Sequence, residues 1–268
     1  MFISPDHELL QYSGRIDFEE KERPVMIYPA SYVRIRFTGT SLRVHLENKR
    51  EYWDNYMGCI IDGRQEKYLL PQEGETELLL AEQLDDTKHD CLLFKRMDAC
   101  HYVTFLGFEI DDDAEVLPLE PLPERKIEVY GDSVSAGEVS EAVNFLGQPD
   151  PEHNGEYSNS YYSYAWMTAR KLGAQIHDVA QGGIALLDGI GWFHEPEYIG
   201  MESIYDKTAY HPDLGEIKKW DFSKYVPQAV IVAIGQNDSH PTDFMARDYD
   251  GIMGRKWRKH YREFILKL

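Results

Sequence analysis

Cysteine is scarce in this 268-residue sequence, which contains only Cys59, Cys91 and Cys100. Their number is odd, and no two of them have the Cys-x-x-Cys spacing of zinc sites and redox motifs. The sequence therefore predicts buried, reduced thiols, and it predicts neither a disulfide framework nor a metal site.

Long apolar runs are also missing. No stretch approaches the length of about 20 residues that a membrane-spanning helix needs. The first seven residues contain neither the basic nor the apolar region of a signal peptide. These features predict a globular protein that stays in the cytoplasm and does not bind membranes.

Positively charged residues are few: the sequence has 28 basic and 47 acidic residues, and its formal net charge is −19. A surface of this sign repels phosphates, so we expect no nucleic-acid partner. Neutral or cationic substrates are favoured, and sugars meet this condition. With 43% hydrophobic residues, the chain is long enough to bury two separate cores.

The first half of the sequence has the pattern of a β-sandwich. Residues 32–37 and 42–46 alternate strictly between polar and apolar side chains, which predicts a hairpin with one solvated face. Further short β-prone runs follow as far as residue 110, without a helical period of comparable length. We predict a β-sandwich or jelly roll over residues 1–120, ending in the acidic, proline-rich connector 111–123.

The second half changes to an α/β pattern. Strands are predicted immediately before Gly131, over 175–180 and over 229–234, with a helix over 161–172. In sheets of parallel strands joined by helices, ligands bind outside the carboxyl ends of the strands. We therefore predict an α/β domain over residues 121–268 whose site lies where these strands end.

Polar motifs follow all three strands. The first, Gly131-Asp132-Ser133, places a hydroxyl beside free N–H groups at the start of a helix, where amides can hold the oxyanion that forms when an ester is attacked. The alternative is that Asp132 or Ser133 merely caps the helix. The second motif contains Gly182 and Gly183, which allow a backbone N–H to approach a ligand closely. The third is the Gly-Gln-Asn-Asp sequence 235–238.

These motifs, in this order, resemble the Gly-Asp-Ser, glycine and Gly-x-Asn-Asp blocks of the SGNH (GDSL-type) hydrolase superfamily. Segments 14–18, 31–42 and 103–109 further resemble the N-terminal β-domain of the family-two carbohydrate esterases. That family removes acetyl groups from xylan, mannan and related sugars, and it combines a jelly-roll domain with an SGNH domain without a metal cofactor. The resemblance implies the same two domains here, no cofactor, and an acetylated oligo- or polysaccharide as substrate.

The resemblance also implies roles for individual residues. Ser133 would be the nucleophile, and the backbone N–H groups of Ser133 and Gly182 would form the oxyanion hole with the side-chain amide of Asn237. Gly183 is the alternative to Gly182. Loop aromatics, among them Trp192 and Tyr198, are candidate stacking surfaces for a sugar ring.

The sequence departs from the family at its end. The family pattern closes with an Asp-x-x-His block whose histidine takes the serine proton, and no residue here matches it. We expect the C-terminal part of the hydrolase domain to be missing. His194 and His240 are candidates for a substitute base, because they follow the Gly182 and Asn237 motifs. Asp132 and Asp238 are expected to be structural hydrogen-bonding residues.

Two other classes of function stay open. A non-catalytic carbohydrate-binding protein with a relic hydrolase domain would recognise sugars through its β-sandwich. A GDSL-type lipase or thioesterase would use the same nucleophile on longer acyl groups. The absence of a long apolar or Gly/Ala-rich lid favours the sugar esterase over the lipase.

Overall fold

The computed structural model describes residues 1–268, and its first part consists of short strands. These strands form an N-terminal β-domain and run as follows: β1 (Phe2–Ile3), β2 (Gln11–Ser13), β3 (Ile16–Asp17), β4 (Val25–Met26), β5 (Tyr32–Gly39), β6 (Leu42–Arg50), β7 (Tyr56–Ile61), β8 (Arg64–Leu69), β9 (Glu73–Ala81), β10 (Thr87–Lys95), β11 (His101–Ile110) and β12 (Val116–Leu117).

The β-domain is built from two antiparallel sheets of six strands each. One has the order β3-β4-β11-β6-β9 with β1 paired to β11, and the other has the order β12-β5-β10-β7-β8 with β2 paired to β5. Alternate side chains of β5 and β6, such as Ile35, Phe37 and Val44, are completely buried, while Arg34 and Arg36 face outward. This alternation buries one face of each sheet in a shared core, so the predicted β-sandwich is confirmed.

The second part of the chain is an α/β domain. Its elements are β13 (Arg125–Gly131), α1 (Ser133–Ala136), α2 (Tyr164–Lys171), β14 (Ala174–Ala180), α3 (Met201–Ile204), β15 (Lys207–Ala209), β16 (Lys218–Lys219), β17 (Ala229–Ala233), α4 (Phe244–Arg247) and α5 (Ile252–Lys267). Strands β14, β13 and β17 form a parallel sheet in that order. The predicted α/β domain is confirmed, and the carboxyl ends of its three strands lie side by side.

The helix predicted over 161–172 begins later than expected. Residues Ser160–Tyr162 form a turn of 3₁₀ helix, and α2 starts at Tyr164. Ser163 lies between the two in extended conformation, and its hydroxyl accepts a hydrogen bond from the Trp166 N–H. A serine that caps a new helix in this way competes with continuous helical pairing, which explains the later start.

Arg15 of the β-domain joins the two domains. Its guanidinium is buried against the α/β domain, where Nη2 lies 2.9 Å from Glu128 Oε1 and Nη1 donates to the Tyr205 carbonyl at 2.6 Å. Tyr32 of the β-domain stacks on Trp166 of α2, with ring centroids 5.8 Å apart. A buried, charge-paired arginine fixes orientation because losing either partner would leave a buried charge uncompensated.

Two further observations bear on the sequence-based expectations. All three cysteines are free and buried, as predicted. No helix is long and apolar enough to cross a membrane.

Candidate active site

Ser133 stands on the turn between β13 and α1. Asp132 caps the helix, and its side chain accepts a hydrogen bond from the Val134 N–H at 3.1 Å. Ser133 is therefore the first helical residue, whose own N–H has no partner within the helix. The structure thus assigns the capping role to Asp132 and leaves the Ser133 hydroxyl and N–H for another purpose.

One pocket of about 500 Å³ collects the predicted residues from the three strand ends. Ser133, Gly182, Gly183 and Asn237 all line it, and so does Trp192. The pocket lies where the carboxyl ends of β13, β14 and β17 meet, which is the position expected for a ligand site in a parallel sheet.

Asn237 begins a short 3₁₀ turn after β17. One N–H of its side-chain amide donates to the Ile184 carbonyl at 3.0 Å, which fixes the orientation of the amide. An amide group has two N–H donors, so the second remains for a ligand. The neighbouring Asp238 is buried and accepts hydrogen bonds from the Leu186 N–H and from Trp257 Nε1, which is the structural role expected for it.

Gly182 differs from the expectation. Its N–H donates to Asp98 Oδ2 at 2.7 Å, so this amide is already used within the protein. A Cβ atom at position 182 would lie 1.8 Å from Glu138 Oε1 and 2.8 Å from Asp98 Oδ2. Glycine is required here to make room for two carboxyl groups. The predicted donors left for an oxyanion are the Ser133 N–H, the Asn237 amide and the N–H of Gly183, the alternative to Gly182, which also lines the pocket.

Asp98 belongs to the β-domain, in the connection between β10 and β11. Its carboxylate is buried and also accepts hydrogen bonds from Gln181 Nε2 at 2.8 Å and from the Cys100 N–H. Burial alone would raise the pKa of Asp98, but the Lys95 ammonium and these donors outweigh it and hold the pKa below its ordinary value. The β-domain thus supplies a fixed negative charge that holds the Gly182 loop in place.

Glu138 lies beside Asp98 at the same pocket. Burial raises the pKa of Glu138 from 4.5 to about 7, and the charge of Asp98 adds to the rise while His153 opposes it. His153 Nδ1 is 3.7 Å from Glu138 Oε2, and this contact raises the pKa of the histidine. Two adjacent carboxyl groups in a buried site cannot both ionise freely, so Glu138 keeps its proton well above the usual range.

This raised pKa makes the stability of the protein depend on pH. Between about pH 4.5 and 7 the unfolded chain loses the Glu138 proton while the folded chain keeps it, so stability falls as the pH rises through this window. Glu138→Gln removes the free-energy cost of ionising this buried carboxyl. The free energy of unfolding of the variant should therefore exceed that of the unaltered protein by about 3 kcal/mol at pH 8 and by little at pH 4.5. Urea unfolding at the two pH values measures the difference.

Glu152→Gln is a matched control, because Glu152 is an exposed glutamate in the same loop. It should change the stability little at either pH. A Glu138→Gln effect of the same size at pH 4.5 and pH 8 would contradict the assignment.

The histidines proposed as substitute bases are not hydrogen-bonded to Ser133, and neither lines its pocket. His194 Nε2 is 2.9 Å from Asp213 Oδ2, and its Nδ1 is 3.3 Å from Glu197 Oε2. The ring of His240 stacks on Trp192, with centroids 3.4 Å apart. Neither ring is hydrogen-bonded to the Ser133 hydroxyl, because each is held by these other partners.

His153 is the histidine that lines the pocket together with Ser133, and sequence reasoning missed it. It lies in a loop without periodicity, and only its contact with Glu138 marks it as part of the site. No local motif in the sequence carries that signal.

Of the two aromatic residues predicted to bind sugar, one lines the Ser133 pocket and the other does not. Trp192 lines the pocket and is 59% exposed. Tyr198 lies in a different cavity, together with Asp188 and Tyr210. It is held there by its backbone, since its N–H donates to the His194 carbonyl and its carbonyl accepts from the Gly189 N–H.

Potential metal ligands are found elsewhere. The three residues whose ligand atoms lie within 4.8 Å of one another are His45, Glu77 and Glu109, on neighbouring strands of one β-domain sheet. None of them lines the Ser133 pocket.

The fold and the site together define the class of protein: a β-sandwich followed by a parallel-sheet α/β domain, with the serine after the first parallel strand and the asparagine after the last. Residues 12–119 match the family model described as carbohydrate esterase 2 N-terminal. The chain is 32% identical over 234 residues to the cellulase/esterase CelE of Acetivibrio thermocellus, an alignment that covers 87% of this chain and 27% of that protein.

Other relatives agree. An acetylxylan esterase/glucomannan deacetylase of Cellvibrio japonicus is 26% identical over 232 residues, which cover 87% of this chain and 62% of that protein. The solved structure of a family two carbohydrate esterase from Clostridium thermocellum in complex with cellohexaose superposes with a TM-score of 0.77 at 29% identity, covering 96% of this chain and 73% of that one. The chain therefore spans less than two thirds of either curated relative, and its resemblance to the family-two carbohydrate esterases is confirmed over both domains.

Proposed function

We propose that this protein is a carbohydrate acetyl esterase that removes O-acetyl groups from xylan- or mannan-like oligo- and polysaccharides. The observation that carries the proposal is the composition of the pocket around Ser133. Its walls are mostly aromatic, acidic, amide and glycine residues, together with Cys100, Ser133 and His153, and no Leu, Ile, Val or Met lines it. Aromatic faces with a few polar groups suit a sugar, whereas a long acyl chain needs an aliphatic channel.

The proposed chemistry follows from the hydrogen-bond donors left at the pocket. The Ser133 oxygen attacks the acetyl carbonyl, and the Ser133 N–H and the Asn237 amide hold the negative charge that develops on the carbonyl oxygen. The sugar hydroxyl leaves with a proton, and water then releases acetate from the acetylated serine. The proton of the Ser133 hydroxyl must pass to a base as its oxygen attacks.

Within residues 1–268 no histidine is hydrogen-bonded to that hydroxyl, so we expect slow turnover. In serine hydrolases, oxyanion donors and substrate binding alone still accelerate hydrolysis by roughly a thousand- to ten-thousand-fold over water. The expected rate is therefore low but measurable as acetate release from acetylated xylan and glucomannan.

The relatives support the choice of substrate. One is named as an acetylxylan esterase/glucomannan deacetylase, and the Clostridium thermocellum esterase was solved with cellohexaose. The net charge of −19 agrees with a neutral polysaccharide as partner. Release of no acetate from either polymer, with or without an added base, would reject the proposed function.

The length of the acyl group is a direct test against the lipase alternative. Each surplus methylene that does not fit a site costs about 1–3 kcal/mol in discrimination. Butyrate has two methylenes more than acetate, so we expect 4-nitrophenyl butyrate to react at least about 30-fold more slowly than the acetate, and the octanoate more slowly still, as measured by kcat/KM. Equal rates on acetate and octanoate would favour a lipase.

The non-catalytic alternative also rests on an observation, because neither predicted base histidine is hydrogen-bonded to the Ser133 hydroxyl, and each has other partners. A sugar-binding relic would bind oligosaccharides but would not react with an ester at Ser133. Covalent labelling of this serine separates the two functions.

A further inference from the structure

The β-domain forms part of the pocket wall. Tyr52 and Trp53, from the connection between β6 and β7, line the pocket that contains Ser133. The α/β domain contributes a separate aromatic pair, Trp192 and Phe193. The site therefore carries two aromatic surfaces, one from each domain.

Trp53 is one of two tryptophans whose side chains are exposed to solvent. Of the five tryptophans, Trp166 is buried and Trp220 and Trp257 are half-buried. The two exposed ones are Trp53, at 37%, and Trp192, at 59%, and both line this pocket. A large apolar side chain left open to water beside a reactive group indicates a binding surface.

The loop that carries Trp53 is fixed in place. The Trp53 carbonyl accepts a hydrogen bond from His101 Nε2 at 3.0 Å, and the Glu51 N–H donates to the Cys100 carbonyl at 2.9 Å. Burial lowers the pKa of His101 to about 3, so the ring is neutral at working pH and donates to this carbonyl through Nε2. Arg50 is also paired with Asp54 across the loop.

The α/β domain packs against the same loop. Gly155, in left-handed conformation with φ of +86°, packs so tightly against the Asp54 carbonyl that a Cβ atom would lie only 2.2 Å from it. A side chain held by such a loop loses little freedom when a ligand arrives, so its contact area contributes more fully to affinity.

The size of the pocket matches more than one sugar. An acetyl group is only a few atoms, whereas about 500 Å³ lies within the range of sites that enclose whole organic ligands. Aromatic faces bind the apolar C–H faces of sugar rings, and the carboxyl groups of Glu138 and Glu195 suit hydroxyl groups.

We propose that Trp53 forms a second sugar subsite, which binds the residue next to the acetylated one and makes the site selective for oligosaccharides over single sugars. This inference rests on the proposed function for its substrate class. It assigns to the β-domain a direct part in substrate recognition.

Kinetic measurements on sugar substrates of different chain length test the subsite. Trp53→Ala should lower kcat/KM on acetylated xylohexaose at least tenfold more than on acetylated xylose, and mainly through KM. Trp53→Phe should restore part of the loss, because it keeps an aromatic face. Equal losses on the two substrates, or no loss on either, would overturn the subsite.

Measurements of binding test the subsite independently of hydrolysis. Calorimetric titration with cellohexaose and xylohexaose, in a Ser133→Ala background, should show about tenfold weaker affinity for Trp53→Ala. If no acetate is released by any variant but this difference is present, the esterase function fails while the subsite stands. If the affinities are unchanged, the subsite fails whatever the esterase result.

Phe18→Ala is the matched control, since Phe18 is an exposed β-domain aromatic, at 40%, that does not line the pocket. It should leave oligosaccharide affinity unchanged. The Trp53 variants should also unfold near the urea midpoint of the parent protein, and unchanged folding with weakened binding excludes a merely structural role for Trp53.

Discussion

Ser133→Ala should eliminate the release of acetate that depends on an external base. No histidine within residues 1–268 is hydrogen-bonded to the Ser133 hydroxyl, so added imidazole should accelerate deacetylation of acetylated xylo-oligosaccharides. General-base assistance is typically worth about a hundred- to ten-thousand-fold. The gain requires the serine oxygen as nucleophile, so the alanine variant should lose it entirely once the uncatalysed imidazole reaction is subtracted.

Ser239→Ala is the matched control for that experiment. Ser239 is an exposed serine two residues after Asn237, and its hydroxyl donates only to the Gln236 carbonyl at 3.2 Å. The control should respond to imidazole like the parent protein. If Ser133→Ala retained more than a tenth of the imidazole-dependent rate, Ser133 could not be the nucleophile.

Asn237→Ala should have the second large effect. Its amide is oriented by the Ile184 carbonyl and retains one free N–H toward the pocket. The Gly182 N–H is committed to Asp98, so the Asn237 amide is one of the few donors left for the oxyanion. We expect turnover to fall about a hundred- to a thousand-fold with little change in KM, which is the cost of removing one oxyanion donor in a serine hydrolase.

Gln236→Ala provides the comparison, since this exposed neighbour lies outside the pocket lining. Its turnover should match that of the parent protein. A variant at Asn237 that raised KM and left kcat intact would assign the amide to substrate binding instead of oxyanion stabilisation.

The sequence predicted well what depends on local patterns. Strict alternation in 32–37 predicted a strand with one buried face, and Ile35 and Phe37 are indeed completely buried. The strand-ending motifs at Ser133, Gly182 and Asn237 were brought to one pocket, because parallel strands place their carboxyl ends at the same sheet edge.

Contacts between the domains were not predictable in this way. Asp98 and Trp53 belong to β-domain loops without any catalytic motif, and they reach the site only through the docking of two separately folded units. His153 was missed for a similar reason, since its importance depends on Glu138. Trp53, Asp98 and His153 are 20 to 80 positions away in sequence from the serine that they surround.

For two residues, the contacts in the structure differ from those expected from sequence position alone. Gly182 follows a strand, as a residue of the oxyanion hole would, but the carboxylate of a different domain takes its N–H. Tyr198 lies in the correct loop, but its backbone pairing places it in another cavity. Proximity in sequence predicted the region of each residue but not its partner.

Covalent labelling with a fluorophosphonate, followed by mass spectrometry of the digested protein, tests the central claim most directly. The account predicts a single adduct on the peptide that contains Ser133, which forms slowly in buffer and faster with imidazole present. Ser133→Ala should not be labelled. An adduct on another residue, or none under either condition, would contradict the claim that Ser133 is the nucleophile of an esterase.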